Sequence, residues 1–267
     1  MTTTAFELQH GDCIAGMSLL EKASIDLIVT SPPYNLGIEY RAYSDRQQRS
    51  EYLSWFERWA DESRRLLAVN GSLFLNIAGS PSNPWLPHEL MMRLRERFAL
   101  QNTIHWIKAI SLEDAAGEAV SRGHFKPINS PRYLNDCHEY VFHLTPEGRT
   151  PIDRLALGVP YADKSNIARW GHTAGHDLRC RGNTWFVPYE TIKSRDKERP
   201  HPATFPVKLA VNCIKLHGVA RVQTMLDPFL GIGNSALAAR DCGVPHFLGF
   251  EIDESYLAEA KRRIAAA

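Results

Sequence analysis

The sequence predicts an α/β fold: a doubly wound, mostly parallel sheet of seven strands that carries a small inserted region. Three observations lead there. Short apolar runs alternate with longer segments of helical period over the first hundred residues and again after residue 205, the pattern of parallel βαβ units. Two of the runs break off sharply, at SPPY (31–34) and at DPFLGIGN (227–234), and strand ends are where such sheets bind ligands. Between residues 146 and 199 the periodicity gives way to short Arg-rich segments with Trp170, Trp185, Phe186 and Tyr189, as an insert would.

The elements follow in order. Ala5 to Leu8 is a short strand, and GDCIAGMSLL a turn with a short helix. Ile25 to Val29 is a buried strand bounded by prolines. From Ser50 to Leu67, Leu53, Trp55, Phe56, Trp59, Leu66 and Leu67 mostly share one helical face; Asn70-Gly71 closes that helix and GSLFLNI opens a strand. Trp85 to Phe98 is helical and NTIHWIK a strand. Residues 111 to 135 lose periodicity and read as a long loop. HEYVFHLT (138–145) is a strand able to pair antiparallel with IHWIK, because no helix separates them. After the insert come a helix over Phe205 to His217, the strand VQTMLD, the helix NSALAARDC, the strand PHFLGFEI and a last helix from Ser255 to Ala266.

Bulk properties narrow the class. The 267 residues suffice for one large domain with an insertion. At 44% hydrophobic and 23% charged, the chain has an ordinary globular composition. No apolar run approaches a membrane span, and MTTTAFELQHGD lacks the basic and apolar regions of a secretory signal. Cys13, Cys137, Cys180, Cys213 and Cys242 are scattered without paired spacing, against a disulfide framework, structural zinc or another metal site; a reducing cytoplasm is expected. Net charge is +1, yet between Thr145 and Lys208 eleven Lys or Arg face seven Asp or Glu, with His172, His176 and His201 nearby. That excess suits a phosphate-facing surface or a solvated one.

Gly231 and Gly233 sit between a strand and a helix, where backbone can approach a ligand and the helix N-terminus adds donors. Glu251, twenty residues after Gly231 and ending the next strand, can accept from both ribose hydroxyls of an adenosine; otherwise it is a solvated strand-end carboxylate. The third glycine of a dinucleotide fingerprint falls at Ala236, which that pattern sometimes allows. The loop alone leaves a dinucleotide and S-adenosylmethionine open. At SPPY, Pro32 and Pro33 fix φ and remove two donors, leaving carbonyl acceptors on a stiff corner beside the Ser31 hydroxyl and the Tyr34 ring.

SPPY with a downstream DPFLGIG resembles the amino-methyltransferases of DNA, which methylate the exocyclic amine of cytosine or adenine. The order, tetrapeptide first and glycines near the C-terminus, is that of the family's β group. Release-factor and many RNA methyltransferases carry a related tetrapeptide after the glycine loop instead. The resemblance implies a Rossmann-like methyltransferase sheet with S-adenosyl-L-methionine as cofactor. It divides the chain into 1–145 with the catalytic corner, 146–200 as target-recognition region, and 201–267 as the cofactor-binding part of the same domain. It assigns the cofactor site to Asp12 in GDCIAGMSLL, Thr30, Asp227, Phe229, Gly231, Gly233, Glu251, and Lys208 in HPATFPVKLA. The chain departs from the family at Ile232 and Asn234, which replace two hydroxyls, and at Ser31, where adenine-modifying relatives usually have Asp or Asn. Ser goes with the cytosine N4 subgroup; N6 of adenine is the alternative.

For catalysis the resemblance points to Ser31, Pro32, Pro33 and Tyr34. A nucleobase amine is a poor nucleophile because its lone pair is delocalised into the ring. Acceptors for both its hydrogens, the Ser31 hydroxyl and Pro32 carbonyl, favour pyramidalisation and free the lone pair. The base must leave the duplex, and Tyr34 would stack on it for about 1–3 kcal/mol. Asn35 and Trp106 are candidates at the DNA pocket, although a strand tryptophan is more often core. Arg169, Arg179, Arg181 and Arg195 are candidates for phosphate or guanine contacts or solvated surface residues. Double-stranded DNA is the expected partner, with a cognate restriction endonuclease and a homodimer as further expectations, in the cytoplasm of a bacterial or archaeal cell. A non-catalytic DNA-binding protein leaves the intact motifs unexplained, and a nicotinamide oxidoreductase leaves SPPY idle.

Overall fold

A computed structural model describes residues 3–35, 37, 42–43, 45–113, 116–123, 129–188 and 204–266. In chain order the elements are β1 (Ala5–His10), α1 (Cys13–Ser18), β2 (Ile25–Thr30), α2 (Arg49–Leu66), β3 (Leu67–Ile77), α3 (Leu86–Leu94), β4 (Ala99–Ile107), β5 (Ala109–Glu113) and β6 (Ala119–Gly123). They continue with β7 (His138–Thr145), α4 (Ser165–Arg169), β8 (Thr184–Phe186), α5 (Val207–His217), β9 (Thr224–Asp227), α6 (Asn234–Cys242), β10 (His246–Glu251) and α7 (Glu254–Ala266).

One sheet organises the chain, in the order β1-β10-β9-β2-β3-β7-β4-β8. The first five of these strands run parallel. β7 is antiparallel to both β3 and β4, as IHWIK and HEYVFHLT suggested, and β8 is parallel to β4. Helices cover both faces. Leu27, Val29, Phe74 and Trp106 point to the side of α5, α6 and α7. Ile28, Leu73, Leu75 and Ile77 point to the side of α1, α2 and α3. This two-sided burial is why the inner strands read as apolar runs such as LIV in β2 and LFL in β3. On α2, the fully buried Tyr52, Phe56, Trp59 and Leu66 form the face against the sheet, each side chain contributing roughly 1.5–3 kcal/mol. From its last turn Arg65 donates to the Met17 and Leu20 carbonyls at the end of α1, satisfying groups that a helix terminus leaves open.

The sheet has eight strands where the sequence suggests seven. The eighth, β8, comes from the Arg-rich segment and is three residues long, too short for a period to show; it is held by Trp185, fully buried in the same cluster as Trp106. Asn70-Gly71 does not end α2, which stops at Leu66. The pair turns inside β3, where the partners jump from Ile25↔Leu67 to Leu27↔Ser72. The long loop expected over 111–135 contains the β5–β6 hairpin. Both its strands are largely exposed, so no apolar alternation marks them. No helix among the described residues is long and apolar enough to cross a membrane.

Candidate active site

Five parallel strands place their carboxyl ends on one edge, and β7, reversed, brings its first residues to the same edge. Asp12, Glu251, Asp227, the SPPY corner, Asn76 and Glu139 therefore line one rim in that order.

The glycine turn is built around two carboxylates. Gly231 and Gly233 have φ of +55° and +83°, conformations that a Cβ disfavours. Gly233 is also the N-cap of α6, and an added Cβ would lie 3.0 Å from the Ala260 Cβ. Glu251 accepts from the Gly231 N–H through Oε2 (2.7 Å) and from the Asp253 N–H through Oε1 (2.9 Å), and burial raises its carboxyl pKa. Each oxygen keeps a lone pair, which fits a pair of ribose hydroxyls. Asp227 is fully buried and accepts from the Thr30 hydroxyl (2.6 Å), the Ser235 hydroxyl (2.5 Å) and the Phe229 N–H (3.0 Å). Burial still pushes it up to about 6. Thr30 is likewise buried, so this pair forms the floor joining β2 to β9 and not the surface a ligand meets. Asp12 caps α1 by accepting from Ala15 N, one residue beyond Gly11, whose N–H bonds the Glu251 carbonyl.

Asn234, where the resemblance expects a hydroxyl, donates to the Phe205 carbonyl (2.7 Å) and accepts from Arg263 (2.7 Å). Arg263 also holds the Ile232 carbonyl. The departure from the family pattern thus braces the turn from outside. Phe229 packs at 5.7 Å from both Trp55 and Trp59, making an apolar wall. Lys208 is exposed in the first turn of α5, three residues after Phe205, whose carbonyl takes the Asn234 amide at the start of α6.

At the corner, Ser31 Oγ lies 2.7 Å from the Tyr34 hydroxyl, which donates to the Asn76 carbonyl (3.1 Å). The Pro33 carbonyl is occupied by the Tyr52 hydroxyl (2.9 Å). The Pro32 carbonyl accepts no hydrogen bond among the described residues. Asn35, at φ +53°, clamps Gln47 in both directions, Nδ2 to its carbonyl (3.0 Å) and Oδ1 from its N–H (2.8 Å). It also lines a polar cavity of about 330 Å³ with Arg49, Ser82 and Asn83.

Sequence reasoning missed three residues here, Tyr52, Asn76 and Glu139; it weighs Lys108, beside Trp106, only for a contact to the flipped base or a phosphate. Lys108 pairs with Glu139 at 3.1 Å, and Glu139 takes the Asn76 amide at 3.0 Å. The available signal was a polar residue at the rim end of an apolar strand, in LFLNI, HWIK and HEYV.

The DNA-facing candidates fare unevenly. Trp106 is fully buried with its indole N–H on the Val187 carbonyl (2.7 Å). It is core, shut away from any base, because alternation on β4 turns it toward α5. Arg169 is exposed at the end of α4. Arg179 and Arg181 are exposed, and Arg181 donates to the Leu157 carbonyl (3.0 Å). Both precede the amino end of β8, the end away from the rim. Arg195 lies outside the described residues.

The DNA methylase family model for N6/N4 enzymes matches residues 25–262. The type II methyltransferase M.ScaI of Streptomyces caespitosus is 29% identical, over 97% of this chain and 81% of that protein. The DNA adenine methyltransferase YhdJ of Escherichia coli K12 is 24% identical, over 97% and 82%. Among solved structures, the cytosine-N4-specific PvuII DNA methyltransferase superposes with a TM-score of 0.69 at 18% identity, over 98% of this chain and 87% of that one. With the family model spanning both the SPPY corner and the glycine turn, the chain belongs to the N6/N4 DNA methylases.

Proposed function

We propose that this protein transfers a methyl group from S-adenosyl-L-methionine to the N4 amine of cytosine in duplex DNA, with the target base flipped out of the helix. The observation that carries the reading is the Thr30–Asp227 bond, which sets the Ser31 corner directly beside the strand end from which the glycine turn departs. The cofactor, held by Glu251 and the Gly231–Gly233 turn with Asp12 and Phe229 alongside, supplies an electrophilic methyl group.

The chain's own residues prepare the amine. Tyr34 has one hydroxyl hydrogen, and two groups that can only accept face it, the Asn76 carbonyl (3.1 Å) and Glu139 Oε2 (3.4 Å). The hydrogen in the Ser31–Tyr34 contact therefore comes from Ser31, which leaves the Ser31 oxygen with lone pairs to offer. The Pro32 carbonyl is the second acceptor. Two acceptors on one amine localise its lone pair on nitrogen, and the proline pair holds them still. Ser31 in place of an acid favours cytosine. The segment from 146 to 200, in which Arg169 is exposed, is the proposed recognition region. The kinship to type II methyltransferases suits a role beside a cognate restriction endonuclease.

The adenine N6 amine is the second reading, favoured by the E. coli relative's name. Mass spectrometry of nucleosides from DNA incubated with the protein and cofactor separates the two: N4-methylcytosine is expected, and N6-methyladenine selects the alternative. A protein that binds cofactor and leaves both nucleosides unmodified overturns the proposal.

A further inference from the structure

Glu139 occupies a place that packing alone does not explain. It is the second residue of β7, paired across the ladder with Trp106, and only the antiparallel run of β7 brings it to the rim. Its side chain is 11% exposed and that of Lys108 17%. Taking two charges this far from water seldom adds stability over an apolar pair. What the carboxylate does is face the catalytic corner. Oε2 lies 3.4 Å from the Tyr34 hydroxyl and takes the Asn76 amide at 3.0 Å, while Oε1 takes Lys108 Nζ at 3.1 Å. The same Asn76 amide donates to the Tyr140 carbonyl (3.1 Å), which fixes the strand end whose carbonyl receives the Tyr34 hydrogen.

We infer that Glu139 is a positioning residue that sets the hydrogen-bond polarity of the target pocket, acting through Tyr34 on Ser31. The inference rests on the proposed amine methylation and adds the reason that an amine is chosen. An ionised carboxylate only accepts, and so does the Asn76 carbonyl. Both draw the Tyr34 hydrogen to their side, so the Tyr34 oxygen receives the Ser31 hydrogen. Ser31 then presents lone pairs alone to the incoming base. Such a pocket accepts a base edge carrying N–H donors and leaves a carbonyl edge facing oxygen lone pairs, as on thymine or guanine. Buried polar groups left unpaired in this way discriminate strongly. Lys108 holds the other oxygen of Glu139 at 3.1 Å, which fixes how the carboxylate faces Tyr34.

Glu139→Gln reverses the arrangement at nearly constant shape. Its one amide oxygen is claimed by Lys108, and its NH2 then competes with Ser31 for the Tyr34 oxygen. The test is a cycle of Glu139→Gln, Tyr34→Phe and the double variant, with DNA methylation followed under single-turnover conditions. Cofactor affinity by calorimetry and melting temperature serve as controls of fold. Each single variant is expected to slow transfer about tenfold or more, with cofactor affinity within about twofold of wild type. The double variant is expected to be no slower than Tyr34→Phe by more than about twofold, since both act on one hydroxyl. Losses that multiply, or a wild-type rate in Glu139→Gln, overturn the inference. Should Glu139→Gln not fold, Tyr34→Phe decides: the inference requires slow transfer at unchanged cofactor affinity, and a wild-type rate overturns it. Wild-type protein that methylates no amine defeats the methylation reading itself, a result distinct from any of these.

Discussion

The hydroxyl of Thr30, last residue of β2, donates a 2.6 Å hydrogen bond to the carboxylate of Asp227, last residue of β9. Two chain segments almost two hundred residues apart are joined at the point where the acceptor corner and the glycine turn begin. Thr30→Val keeps the shape and removes the donor, leaving a buried carboxylate with one partner fewer. A loss of about 1–3 kcal/mol in stability is expected, with weaker cofactor binding, while Thr30→Ser stays near wild type. Thermal melting and calorimetry measure the two effects, and unchanged cofactor affinity in Thr30→Val would show that the strut transmits nothing to the cradle.

Gly233 combines a left-handed backbone with contact against α7. Gly233→Ala is expected to destabilise by about 1–2 kcal/mol from backbone conformation alone, and more from the Ala260 contact. The added methyl pushes α7 and its Arg263 brace away from the turn, so cofactor affinity falls too. Calorimetry that finds wild-type affinity would remove the glycine turn from the cofactor site.

A buried polar chain runs beneath the sheet. The Asn102 amide meets His143 Nδ1 (3.0 Å), His143 Nε2 meets Ser72 Oγ (2.9 Å), and Ser72 Oγ meets His217 Nδ1 (2.9 Å). With Asn102 donating, both imidazoles fit as neutral rings. Burial pushes His143 down to about 3 and His217 down to about 4. The unfolded chain takes up these protons near pH 6.5 and the native one does not, so stability is lost as pH falls from about 6.5 toward 4. The His217 share is roughly 3 kcal/mol. Asp227 works in the opposite sense, since its raised carboxyl favours the native state at low pH and that share is lost as pH rises toward about 6. Melting of His217→Gln against wild type between pH 7 and 4.5 isolates the imidazole: a shallower acid decline is expected, and parallel curves would refute it.

The parallel half of the sheet was legible because burial on both faces leaves apolar runs such as Ile25 to Val29 and Phe247 to Phe250. The β5–β6 hairpin was not, since its strands bury almost nothing, and neither was β8, where one buried tryptophan does the holding. Within the site, SPPY, the glycines and Glu251 announce themselves by residue type. Asn76 and Glu139 do not, and Lys108 does so without its partner, because their meeting depends on β7 running backwards, which only tertiary pairing sets. Trp106 stood in the sequence between the rim and the core, with core the commoner place for a strand tryptophan, and the alternation of β4 sends it there.

The most direct test of the account concerns Ser31 itself. Ser31→Ala removes one acceptor from the amine and touches neither Glu251 nor the glycine turn. Single-turnover methylation is expected to fall about a hundredfold or more, while S-adenosyl-L-methionine binds as tightly as to wild type. A variant that methylates DNA at the wild-type rate would contradict the account.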